Sequence, residues 1–210
     1  MPDSTGEVSW QTRKMKPGFL SGGRHLSNPN SRDRIRRLVH FGFGACAFLI
    51  RPLGVLGSAS LAGAALFYNV LLAPRLGLDR SYRRPGEGLW GGLTTYPLAV
   101  LLLILLFRPH VAAGAWVVLA CVDPVAAFAG SRWSRPRVPW CPRKSLVGTC
   151  AGALVATAGA YGILVFLAVP AALSGACAAA AAGALAETVP WRDDNLVIAG
   201  AAALALLGTV

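Results

Sequence analysis

Four polar clusters interrupt long apolar runs, and each holds residue types used in phosphate and cation chemistry. Asp123 lies inside the apolar run 109–130 and is followed by Pro124. It stands about seven residues from the end of that run, roughly 10 Å along a helix. A charge at the bilayer centre costs about 2.5–3.5 kcal/mol on insertion scales, so such acids face a bundle interior or a cavity. There, Asp123 suits a carboxylate ligand for Mg²⁺; the alternative is a structural acid paired with an arginine. Pro124 is expected to break or kink the helix and to free carbonyls that could face the same cation.

The second cluster is Arg143, Lys144, Ser145, Gly148 and Thr149, where a basic loop becomes a helix. Exposed N–H groups at a helix start attract phosphate, and Lys, Arg and hydroxyls add charge and hydrogen bonds. Gly148 would let a phosphate approach the backbone. Taken alone, a lysine–serine pair falls far short of a phosphate-loop motif, and the local pattern favours Ser145 as an N-cap and Gly148 as a packing residue. The third cluster is Glu187, Asp193, Asp194 and Asn195. Several acids at one helix end repel unless a cation intervenes, and oxygen ligands with waters suit Mg²⁺. The alternative is a solvated turn at Pro190 and Trp191 whose acids pair with Arg192. The fourth cluster is Arg36, Arg37 and His40, on one helix face by their spacing. His40 could bind a phosphate or act as a base; equally, the three could sit at head-group level. Asn69, Arg83, Arg84 and Glu87 are weaker candidates. Gly91, Gly92 and Tyr96 read as helix packing with an interfacial aromatic.

The elements that position these groups are apolar segments: 36–50, 53–72, 89–107, 109–130, 146–169, 171–189 and 195–210. A membrane span needs about 20 residues. The middle five satisfy this and the first and last are short, so about seven transmembrane helices are expected, with six possible. The chain of 210 residues is 55% hydrophobic and 14% charged. A soluble domain carries about 25% charged residues, so the composition excludes that class. The 24 glycines suit close helix approach in a membrane. Of the 20 Lys and Arg, only Arg51 and Arg108 fall outside the N-terminal tail and the second, fourth and sixth connections. Positive-inside logic then places the N-terminus and those connections in the cytoplasm. All nine acids lie on or toward that side. Polarity gathered at one face suits chemistry done there better than transport, which needs access from both faces.

Residues 1–33 read as a disordered basic tail without the compact apolar core of a signal peptide, and 34–210 as one transmembrane domain. The net charge of +11 is split among segments around apolar runs, which excludes a nucleic-acid role and favours contact with membrane lipids. Five cysteines contain no Cys-x-x-Cys pair and read as small buried hydrophobes.

In order, four blocks resemble the CTP-dependent lipid kinases that include phytol kinase and dolichol kinase, within a wider phosphatidate cytidylyltransferase-like membrane group. They are Arg36-Arg37-Leu38-Val39-His40, then Asp123-Pro124-Val125-Ala126 with Gly130, then Arg143-Lys144-Ser145 with Gly148-Thr149, and finally Glu187 with Asp193-Asp194-Asn195-Leu196. The resemblance covers residues 36 to about 198. It implies a Mg²⁺-dependent enzyme that uses CTP on a lipid alcohol. It implies that Asp123 and Asp194, with Asp193, help hold metal, and that Arg143, Lys144, Ser145, Gly148 and Thr149 contact the triphosphate. Asp123, Lys144, His40 and Glu187 become the catalytic candidates, His40 and Glu187 for substrate activation. Two positions depart from the pattern: Val147 stands where the family has glutamate, and Ser131 to Ser134 lack its second glycine.

The expected protein is therefore an all-α polytopic membrane bundle with a cytoplasm-facing site, in the plasma membrane of a prokaryote. The expected reaction moves the γ-phosphate of CTP to a long-chain isoprenoid alcohol. CMP transfer to a lipid phosphate is one alternative; a non-enzymatic, degenerate relative or small transporter is another.

Overall fold

The structure, a computed structural model, describes residues 31–78, 91–190 and 194–210. Helix α1 (Ser31–Phe43) passes through a 3₁₀ stretch, Gly44–Leu49, into α2 (Ile50–Phe67). A π-helical stretch, Tyr68–Leu72, leads to the short α3 (Ala73–Arg75). Then follow α4 (Gly92–Leu106) and α5 (Pro109–Arg132). A small antiparallel hairpin, β1 (Arg137–Val138) and β2 (Cys141–Ser145), connects α5 to α6 (Leu146–Phe166). Helices α7 (Ala172–Glu187) and α8 (Asn195–Leu207) complete the chain. The expected all-α architecture holds, apart from that hairpin in the basic loop.

Local chemistry sets several boundaries. Pro109 occupies the first turn of α5, where its missing N–H costs nothing. Ser145 caps α6 by accepting from the Gly148 N–H at 3.4 Å. At the other end of α6, Ala168 N–H donates to Val165 O and Val169 N–H to Leu164 O. This is a Schellman stop, with Ala168 at φ 59° where glycine is usual. Pro124 lies inside α5, which continues past it to Arg132 without a break.

The break falls instead at Gly54, with φ 64° and ψ −174°. Contacts on either side fix its effect. His40 bonds to Leu119 of α5, near Asp123. Arg51 donates to Phe166 O at 2.9 Å, at the opposite end of the bundle. Asn69 Nδ2 then donates to Leu93 O at 2.7 Å, back at the first end. The helical run Arg36–Arg75, 40 residues long, thus folds back on itself. A straight helix of that length would reach roughly 60 Å, twice a bilayer's hydrocarbon core.

The remaining helices alternate in the same way. Gly148 and Gly152 of α6 lie against Ala126 and Val122 of α5, while Leu164 lies against Gly114, so the two run antiparallel. Gly183 of α7 meets Val118 and Val122, and Gly175 meets Leu206 of α8. Among the described residues, each apolar segment expected from the sequence is helical, and successive ones reverse direction. Three runs are long and apolar enough to cross a membrane: Arg36–Arg75, Pro109–Arg132 and Leu146–Phe166. Gly92–Leu106, Ala172–Glu187 and Asn195–Leu207 are apolar but shorter.

Helix α5 is the axis of the bundle: every residue from 111 to 122 is buried, Trp116 included. It packs on α4, α6, α7 and α8, and α1 touches it near His40. Close approach depends on small residues, since a methyl on Gly159 would stand 2.8 Å from Val117 Cγ1. The cysteines follow the expectation only in part: Cys121 and Cys141 are buried, whereas Cys150 and Cys177 are exposed.

Candidate functional site

Three helices bring one carboxylate each to the same point. Asp123 comes from the second half of α5, Glu187 is the final residue of α7, and Asp194 immediately precedes α8. One oxygen from each lies within 4.8 Å of the others. Lys144, on β2, reaches into this cluster. Its Nζ donates to Glu187 Oε1 at 2.6 Å and to Asp194 Oδ2 at 3.1 Å. Burial alone would lower the lysine's pKa; the Glu187 and Asp194 carboxylates outweigh it and hold the ammonium above its ordinary value. Lys144 therefore stays charged at neutral pH.

Lys144 meets one oxygen of Glu187 and one of Asp194. Glu187 is only 4% exposed, and its Oε2 has no hydrogen-bond partner among the described residues. A buried carboxylate oxygen left unpaired is costly. Oxygen donors converging from Asp123, Glu187 and Asp194 fit a hard divalent cation such as Mg²⁺, which takes oxygen ligands and retains waters.

The hairpin sets where Lys144 points. Val138 pairs with Cys141 and Arg137 with Ser145 across the strands, and Arg137 donates to Pro142 O at 2.7 Å. The Leu146 N–H donates to Pro136 O at 2.9 Å. Trp140 Nε1 donates to Thr188 Oγ1 at 3.0 Å, which ties the turn to the residue after Glu187. Lys144 and Glu187 are thus positioned by adjoining parts of one scaffold.

His40 enters from α1. Its Nε2–H donates to Leu119 O at 3.3 Å, and its ring is near enough to Asp123 and Asp194 to feel their charge. The ring packs on Tyr96, with centroids 4.1 Å apart. Tyr96 Oη accepts from Trp116 Nε1 at 2.9 Å and donates to the His40 carbonyl at 3.5 Å. Tyr96 is therefore buried beside the site rather than lying at an interface. Asn195 adds another tie, donating to Thr95 Oγ1 at 2.9 Å and Gly92 O at 3.4 Å. Arg36 lies against Gly92, where a methyl would meet both terminal guanidinium nitrogens at 3.8 Å.

The expected triphosphate contacts divide. Arg143 is exposed and Lys144 faces the acids. Ser145 Oγ donates to Trp133 O at 2.6 Å while capping α6, and Thr149 Oγ1 donates to Ser145 O at 3.2 Å. A methyl on Gly148 would stand 2.5 Å from Ala126 O and 3.0 Å from Gly130 N. Gly148 thus serves the α5–α6 crossing, the packing alternative, rather than opening backbone to a phosphate. Asn69 ties the π-helical stretch after α2 to Leu93 of α4. Asp193, Arg83, Arg84 and Glu87 fall outside the described residues.

Sequence reasoning did not place Thr95, Tyr96 and Trp116 at the site. A signal was present, since Tyr and Trp within apolar runs need partners for their O–H and N–H groups. No family model matches the chain, and no curated protein or solved structure matches it.

Proposed function

We propose that the chain is an integral membrane enzyme that transfers the γ-phosphate of CTP to a long-chain isoprenoid alcohol, of phytol or polyprenol type. The observation that carries this reading is the convergence of Asp123, Glu187 and Asp194 within 4.8 Å, with Lys144 among them, at one end of an apolar helical bundle. Intramembrane acids with this much buried charge mark function by default. The ordered resemblance to CTP-dependent lipid kinases supplies the nucleotide and the substrate class.

In this reading seven helical segments span the plasma membrane of a prokaryote, and the acidic end faces the cytoplasm, as the lysine and arginine distribution indicates. Asp123, Glu187 and Asp194 would hold Mg²⁺, which supplies positive charge against the phosphates. Lys144 and Arg143 would orient the triphosphate and stabilise the transferring group. His40, lodged between Leu119 and Tyr96, would receive the proton of the lipid hydroxyl. The apolar helix surfaces would solvate the lipid chain and leave its hydroxyl at the interface.

Label transfer from CTP tests the reading, with detergent-purified protein, Mg²⁺, and a panel of prenols, diacylglycerol and phosphatidate. Label from the γ position on an alcohol is the expected result. Label from the α position on a lipid phosphate would instead make it a cytidylyltransferase. A specific observation favours a third, non-enzymatic reading: Lys144 already neutralises part of the acid cluster, Ser145 and Gly148 are engaged in capping and packing, and Val147 replaces the family glutamate. Folded protein that transfers no label to any lipid would favour that reading.

A further inference from the structure

The Lys144 ammonium lies against the acid cluster. It bridges Glu187 Oε1 and Asp194 Oδ2, two of the three carboxylates whose oxygens cluster within 4.8 Å. It leaves the cluster unfinished, because Glu187 Oε2 is buried without a partner among the described residues. Were Glu187 a base awaiting a substrate hydroxyl, its partner lysine would be a permanent fixture. Were it a ligand, Lys144 would have to leave.

We infer that Glu187 is a cation ligand and that Lys144 is a resident stand-in, which exchanges with a divalent cation for the same carboxylate oxygens. The geometry permits this motion. The Lys144 side chain is 24% exposed against 5% for Glu187, so the lysine has a route out while the carboxylate is fixed. A lysine carries a compact charge on a flexible four-carbon stem, unlike the rigid fork of arginine. Its strand ends at the cap of α6, so the side chain can swing without moving either helix. Once displaced, the ammonium is free to meet an anionic ligand beside the ion. Cation and anion binding are then coupled and reciprocal: each favours the other by withdrawing Lys144 from the acids.

This inference rests on the proposal that the acids bind a cation, and not on CTP or a lipid as substrate. The test is Mn²⁺ binding to the purified full chain without nucleotide, read by electron paramagnetic resonance, with Mg²⁺-induced shifts in the unfolding midpoint alongside. Removing the competing charge in Lys144→Met should tighten Mn²⁺ binding by at least about tenfold and enlarge the Mg²⁺-induced shift. Glu187→Gln should weaken binding by at least about tenfold. Lys144→Gln provides the same comparison if the methionine variant does not fold. Binding by the lysine variants that is equal to or weaker than wild type overturns the exchange, and wild-type affinity in Glu187→Gln overturns the ligand assignment. Absence of Mn²⁺ binding in wild type and variants overturns the cation reading as a whole. Intact exchange without label transfer from CTP overturns only the proposed reaction.

Discussion

A methyl group added to Gly148 on α6 would stand 2.5 Å from the carbonyl oxygen of Ala126 on α5. The helix that follows the Lys144 strand and the helix that carries Asp123 therefore meet backbone to backbone. Gly148→Ala should force them apart, at about 1–3 kcal/mol of stability. Thermal unfolding in detergent measures it. Gly162→Ala is the control, because nothing lies within 4 Å of its added methyl; helix propensity alone should leave that variant neutral or up to about 1 kcal/mol more stable. Equal effects at both positions would contradict the tight crossing.

Ala168 ends α6 at φ 59°, where an L-residue is strained and glycine is not. Ala168→Gly relieves that strain but adds freedom to the unfolded chain. The balance should be a gain of about 0.5–1 kcal/mol, seen as a raised unfolding midpoint. A lowered midpoint would mean that the Schellman stop does not form as described.

Asp123→Asn keeps the shape of the side chain and removes its charge. If the acids hold the cation used in catalysis, label transfer from CTP should fall by at least about a hundredfold while the unfolding midpoint stays within a few degrees. Full turnover in the purified variant would show that Asp123 has no part in the reaction.

Asn195 and Thr95 join the starts of α8 and α4 through one buried hydrogen bond of 2.9 Å. Asn195→Ala should cost about 0.5–1.5 kcal/mol, because it removes the bond that the buried Thr95 hydroxyl accepts while leaving the one it donates to Gly91 O. A double-mutant cycle with Thr95→Val should return a coupling of at least about 0.5 kcal/mol. Strict additivity would mean the bond contributes nothing.

The helices were legible because hydropathy writes their limits directly: 146–169 was expected and Leu146–Phe166 is found. The fold-back at Gly54 was foreshadowed by Arg51 and Pro52, although no apolar period marks it. The hairpin was not legible, since β1 has two residues, β2 has five, and the stretch is rich in proline and arginine. At the site, sequence grouped Glu187 with Asp194 because they are neighbours in the chain. The family resemblance, rather than spacing, joined Asp123 to Asp194, and it set Lys144 at the triphosphate; the meeting of Lys144 with Glu187 and Asp194 depends on which helix ends share a face of the bundle. The capping alternative for Ser145 was readable from local pattern, and the structure has that cap.

The unbroken burial of residues 111–122 separates two demands that an apolar chain usually meets together. Helix α5 is shielded by its neighbours, so the shapes of adjoining helices rather than an oily solvent dictate its residues. Substitutions there should be filtered by size, with alanine, glycine and valine favoured, whereas the outer surface of α2 should accept almost any greasy residue. Asp123 follows directly on that sheathed stretch, so its carboxylate answers to a protein-made medium whose polarity the neighbouring helices can tune.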